Sequence, residues 1–183
     1  MSNSSLTIAN LITLLRVVLI VPLCWFLHNK NSIPAFVIFS IISLTDFLDG
    51  YFARKLNQVT DLGKLLDPLV DKMVVIVCLF FLVENFKWSF WLISPTLASL
   101  IVIRELAVTG LRSLAASKAI IIPADNLGKI KTVLQLLGIG TYLCAPIFSS
   151  QITLKIGTTM LWLSVIVGYA GMINYFYKFK NRN

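Results

Sequence analysis

Residues 45–72 read TDFLDGYFARKLNQVTDLGKLLDPLVDK and lie between two apolar runs, FVIFSIISL at 36–44 and MVVIVCLFFLV at 73–83. Two apolar runs with polar inner ends and a short connection at 55–59 predict a membrane hairpin of two helices. On the first helix Asp46, Asp49, Gly50, Ala53 and Arg54 fall at i, i+3, i+4, i+7 and i+8, which puts all five on one face. On the second, Asp67 and Asp71 are i, i+4, with Gly63 one turn earlier. The antiparallel hairpin therefore lets two carboxylate pairs face each other. An Asp at the centre of a spanning helix costs roughly 2.5–3.5 kcal/mol on insertion scales. Four of them need partners that offset that cost.

The rest of the chain extends the same pattern. Of its 183 residues 57% are hydrophobic and 13% charged, and mean hydropathy is +0.85. Those values exclude an ordinary soluble domain and describe a polytopic membrane protein. At about 20 apolar residues per crossing, six spans are expected: 6–28, 33–54, 62–84, 89–111, 125–148 and 153–177. The loops leave no room for a second domain, so residues 1–183 form one all-α bundle of six transmembrane helices. No internal repeat is evident. Residues 1–5 lack a basic n-region, so the first apolar stretch is expected to be a retained helix.

Thirteen of the sixteen Lys and Arg residues fall on one side of this arrangement, against Lys30, Lys87 and Lys155 on the other. The positive-inside bias places both termini, and the aspartates with them, at the cytoplasmic face of the cell membrane. The net charge of +8 then belongs to a face that attracts anionic lipid and anionic substrates. A nucleic-acid partner is excluded, because the cations flank apolar spans instead of forming a soluble patch. Cys24, Cys78 and Cys144 sit in different spans without CxxC spacing and are small packing residues. His28, Trp25, Trp88 and Trp91 suit the outer interface, and Tyr175 and Tyr177 the inner one.

Carboxylates clustered without Cys or His favour hard divalent cations, Mg²⁺ first and then Mn²⁺ or Ca²⁺. Two such ions about 3.5–4 Å apart suit phosphoryl chemistry. Arg54 can hold a phosphate through paired hydrogen bonds. Thr60 or Asp61 can cap the second helix, whose N-terminus favours anions, and Pro68 is expected to loosen it. A solvated acidic boundary is a poorer account, since it gives no reason for two same-face pairs separated by small residues. An ion or proton pathway in a transporter predicts acids near mid-membrane and a second, matching half. Neither is visible here.

The complete spacing Asp46-x2-Asp49-Gly50-x2-Ala53-Arg54-x8-Gly63-x3-Asp67-x3-Asp71 resembles the motif of the CDP-alcohol phosphotransferases at every fixed position. The resemblance implies six transmembrane helices, a cytoplasmic metal site, and attack of a hydroxyl on a CDP-linked lipid or alcohol with release of CMP. It implies that Asp46, Asp49, Asp67 and Asp71 ligate two Mg²⁺ (or Mn²⁺) ions, with Asp71 also the general base. Asp49, Gly50, Ala53, Arg54 and Asp61 would line the CDP pocket. It further implies a homodimer.

The fourth and fifth spans bear on the acceptor. Arg104 and Arg112, eight residues apart, are expected on one helical face, with Glu105 available to pair with Arg112. Gly128, Lys131, Thr132 and Gln135 form an i, i+3, i+4, i+7 stripe, and Lys129 falls beside it. Such stripes should end in a cationic pocket near the metals and take a phosphorylated acceptor. Arg112, Lys131 and Lys129 are the candidates to hold its phosphate, the alternative being that they are positive-inside anchors. The stretches ANLITLLRVVLIVPL, DPLVDK, IVIRELAVTGLR and GKIKTVLQ resemble the branch of the family that joins CDP-diacylglycerol to sn-glycerol 3-phosphate. Branches using inositol phosphate, serine or another phospholipid share the aspartate frame, so the acceptor rests on these flanking stretches.

Overall fold

The computed structural model describes the backbone of residues 8–56, 61–85, 93–118, 126–148 and 151–180, and the side chains among them except at 8–10, 46–56 and 61–68. The described residues form six α-helices: α1 (Ile8–His28), α2 (Ser32–Leu56), α3 (Asp61–Asn85), α4 (Pro95–Ser117), α5 (Asn126–Phe148) and α6 (Gln151–Lys180). No strand occurs among them. Among the described residues three helices, α1, α5 and α6, are long and apolar enough to cross a membrane. Trp88 and Trp91 lie outside the described residues.

Five helices start and stop within a few residues of the expected spans. The fourth runs from 95 to 117 where 89 to 111 was expected. Its start is set by Ser94, whose hydroxyl accepts a hydrogen bond from Leu97 N at 3.1 Å, and by Pro95 in the first turn, where a missing N–H costs nothing. The shift carries Arg112 inside the helix. Between α1 and α2 the chain turns through Lys30 in the left-handed region, φ 56°. There Asn31 N donates to Phe26 O at 2.9 Å and closes the helix end.

Along α1 apolar side chains cover the outer surface while the inward face mixes polar and apolar residues. Leu14, Val18, Val21 and Trp25 are exposed, whereas Thr13, Arg16, Leu23 and Leu27 face inward. An apolar outer surface over a partly polar interior is what a helix between lipid and protein requires. Lipid is as apolar as leucine, so close packing and hydrogen bonds must hold the helices together. Leu23, Phe39, Leu79, Leu97, Ile101, Ile139 and Leu161 form the central cluster. Between α5 and α6 the backbones themselves meet. A Cβ on Gly138 would lie 3.2 Å from Gly157 O, and one on Gly157 would lie 3.1 Å from Gly138 O. Tyr142 and Thr158, 2.6 Å apart, add a hydrogen bond at that crossing. Cys78 is buried, Cys24 and Cys144 are half-buried, and all three are free thiols.

Pairing of α1 with α3 at Arg16–Asp71 and Asn85–Leu27 shows that these two helices run in the same direction. Contacts of Arg104 with Gly168, and of Arg112 with Tyr175, show the same for α4 and α6. Asp71, Glu105, Lys131 and Gly168 thereby come to a similar depth in the bundle.

Candidate active site

Asp46, Asp49, Gly50, Ala53 and Arg54 lie on α2, and Asp61 and Asp67 on α3, but their side chains are outside the described residues. Asp71 is the member of the frame whose side chain is described. It lies ten residues into α3, about 15 Å along the helix, and Arg16 Nη1 of α1 donates to its Oδ1 at 2.7 Å. The Arg16 side chain is 1% exposed and that of Asp71 44%. The arginine is thus an interior group, and the carboxylate it holds is partly exposed. Sequence reading passed over Arg16 as a charge in the first span. The signal was present: a cation in the middle of LITLLRVVLIVPL must face the interior and find an acid there.

A second ionic cluster joins α4, α5 and α6. Glu105 Oε1 accepts from Lys131 Nζ and from Arg104 Nη1, the latter at 3.2 Å. Arg104 Nε donates to Gly168 O at 3.0 Å. All three charged side chains are buried, as is Gln135 one turn beyond Lys131. Lys72 lies within electrostatic range of Asp71, Glu105, Arg104 and Arg112 and so connects this cluster to the aspartate frame.

Three expectations change. Glu105 pairs with Lys131 and Arg104, not with Arg112. Seven residues along one helix separate Glu105 from Arg112 by about 10.5 Å of rise, whereas Lys131 arrives directly from α5. Arg104 and Arg112 do not both enter the interior: the eight-residue spacing allows a shared side, but only Arg104 is covered by neighbouring helices. Arg104 is buried, and Arg112 is exposed with its guanidinium 5.8 Å from the Tyr175 ring centroid, which is cation–π range. Thr132 also leaves the interior stripe. It is exposed, and its hydroxyl donates to Gly128 O of its own helix at 3.0 Å. Lys129 is exposed beside the stripe, as its phase implied.

The family model of CDP-alcohol phosphatidyltransferases matches residues 6–170. The chain belongs to that family. Among curated proteins it is similar to a CDP-diacylglycerol–glycerol-3-phosphate 3-phosphatidyltransferase of Wigglesworthia glossinidia brevipalpis, 36% identical over 178 residues and 94% of each chain. A protein of the same name from Bacillus subtilis is 34% identical over 92% of this chain and 88% of its own. A third, from Rickettsia felis, is 32% identical over 88% and 91%. With family membership and three helices fit to cross a bilayer, this CDP-alcohol phosphatidyltransferase is an integral membrane protein.

Proposed function

We propose that this protein transfers the phosphatidyl group of CDP-diacylglycerol to sn-glycerol 3-phosphate, giving phosphatidylglycerophosphate and CMP. The near-full-length likeness to relatives named for that reaction carries the reading. The geometry adds a reason for an anionic acceptor: Arg104 and Lys131 are two buried cations sharing one carboxylate, with Lys72 in range. A phosphate can take up that excess of positive charge.

In this reading residues 1–183 form one domain of six spans in the cell membrane, with both termini and the active site cytoplasmic. The positive-inside bias supports that orientation. The homodimer is supported by family resemblance. Four carboxylates without Cys or His are an all-oxygen donor set suited to two Mg²⁺ or Mn²⁺ ions. Asp71, part-exposed and anchored through one oxygen, has the character of such a ligand. When bound, the metals supply charge neutralisation at the diphosphate and at the departing CMP. Asp49, Gly50, Ala53, Arg54 and Asp61 bind the CDP moiety, Arg54 through paired hydrogen bonds to phosphate. Lys131 and Arg104 hold the acceptor's phosphate, with Arg112 and Lys129 at the entrance. Asp71 takes the proton of the attacking glycerol hydroxyl. A P–O bond then forms at the phosphorus on the diacylglycerol side as that phosphorus parts from CMP. The donor's acyl chains stay in the apolar phase. An apolar cleft of ≈ 600 Å³ between α2 and α5, which includes Ser43 and Leu44 next to the frame, offers them a path.

The test is CMP release by purified protein in detergent micelles, given CDP-diacylglycerol and a panel of alcohols. Preference for sn-glycerol 3-phosphate supports the reading, and turnover with inositol phosphate, serine or a phospholipid alone reassigns the acceptor. Ion flux in sealed vesicles without CMP formation makes the protein a transporter.

A further inference from the structure

Gly168 lies on α6, a helix to which the sequence reading gave no part in the chemistry. Its carbonyl accepts from Arg104 Nε at 3.0 Å. A Cβ placed on it would lie 3.2 Å from that same Nε, 3.3 Å from Lys131 Cγ and 3.4 Å from Arg104 Cδ. At Gly171, one turn on, a Cβ would be only in ordinary contact with Arg104 Nη2, at 3.9 Å, so the tight approach of the cations is to Gly168. The backbone at this point is therefore a slot through which two long cationic side chains pass together. Opposite the slot, Glu105 presents one carboxylate oxygen to both of them.

This arrangement does more than neutralise charge. Two cations this close repel each other in a medium of low dielectric, and without an acid between them they would move apart or lose protons. Glu105 and the Gly168 carbonyl together fix two of the guanidinium's N–H groups and one ammonium hydrogen. Among the described residues no acceptor engages Arg104 Nη2. That leaves the Nη2 donors and the remaining ammonium hydrogens of two cations gathered on one carboxylate oxygen, donors that a phosphate can take in charge-assisted bonds.

We propose that Glu105 and Gly168 are positioning residues for the acceptor's phosphate, the carboxylate holding Lys131 and Arg104 together and the bare backbone giving them room. The inference rests on the reading of Lys131 as a phosphate-binding residue. It assigns to a buried acid and a glycine the selection of a phosphorylated over a neutral alcohol.

The experiment is steady-state kinetics on full-length protein in detergent, with CDP-diacylglycerol and sn-glycerol 3-phosphate varied in turn and thermal stability recorded for each variant. Lys131→Ala tests the underlying reading. Glu105→Gln should raise the KM for glycerol 3-phosphate about 10-fold or more while the KM for CDP-diacylglycerol stays within about 2-fold. Gly168→Ala keeps every charge and crowds only flexible side chains, so it should fold and still raise the same KM roughly 3- to 10-fold. Gly157→Ala controls for packing on the same helix: its Cβ would lie 2.5 Å from Thr141 Oγ1, and it should lower stability with neither KM moved. If Lys131→Ala raises the acceptor KM but Glu105→Gln and Gly168→Ala change stability alone, the positioning role is overturned and the phosphate reading stands. If Lys131→Ala has no effect on that KM, the phosphate reading fails and the inference with it. An acceptor KM that responds equally to Gly157→Ala and Gly168→Ala overturns the role of Gly168. Should Glu105→Gln fail to fold, Gly168→Ala decides the matter.

Discussion

Arg16 reaches Asp71 from another helix, and the contact fixes one oxygen of the carboxylate assigned to proton transfer. A hydrogen bond between charged groups is worth about 1.5–3 kcal/mol, and its loss removes a contact that orients the carboxylate toward the attacking hydroxyl. Arg16→Ala is expected to lower kcat about 10- to 150-fold at saturating substrates, measured as CMP release. Arg16→Lys should recover part of the loss, because it restores the charge without the guanidinium's geometry. An unchanged kcat in Arg16→Ala would make the contact purely structural. The same scale holds the test of the metals. Excess EDTA should abolish turnover and Mg²⁺ or Mn²⁺ should restore it. Asp67→Asn, which keeps shape and removes charge, should cost orders of magnitude while the protein still inserts. Full activity in EDTA removes the metal mechanism.

On α5 the helical phase separates two lysines only two residues apart. Lys131 points inward to Glu105 and Lys129 is exposed, because a two-residue step turns the helix by about 200°. Lys131→Ala should raise the acceptor KM roughly 10- to 150-fold, and Lys129→Ala much less. The reverse order, in acceptor saturation curves, would mean that the phase of α5 is wrong. Farther along, α5 meets α6 at Gly138 and Gly157, where backbone approaches backbone. Gly157→Val inserts a branched side chain where a single Cβ would already lie 2.9 Å from Tyr142 Cδ2. Overpacking of this kind costs about 1–3 kcal/mol, to be read as a lowered midpoint of thermal unfolding in detergent.

At the scale of the whole molecule, the number of crossings sets where the ends lie. Six spans place both termini on one side, whereas three would place them on opposite sides. Protease removal of tags fused before Met1 and after Asn183 should therefore occur together in inverted vesicles and not in right-side-out ones. Cleavage of one tag in each preparation would mean an odd number of crossings and overturn the six-span arrangement. α4, described throughout, falls short of simple apolarity because it carries Arg104, Glu105 and Arg112, groups assigned to the chemistry. Helix number among the described residues and the limits of five helices were legible in the chain, since apolar run length and turn residues are local properties. The start of α4 was also written there, in Ser94-Pro95, but hydropathy alone centred the span too early. Periodicity can say that a charged side chain faces inward, as it did for Lys131, yet it cannot say which neighbouring helix meets it. So the partners of Arg16 and Glu105 came from tertiary structure alone, as did the slot at Gly168. Which buried charges neutralise one another depends on how helices distant in sequence are rotated and packed, and one helix's residue order does not carry that information.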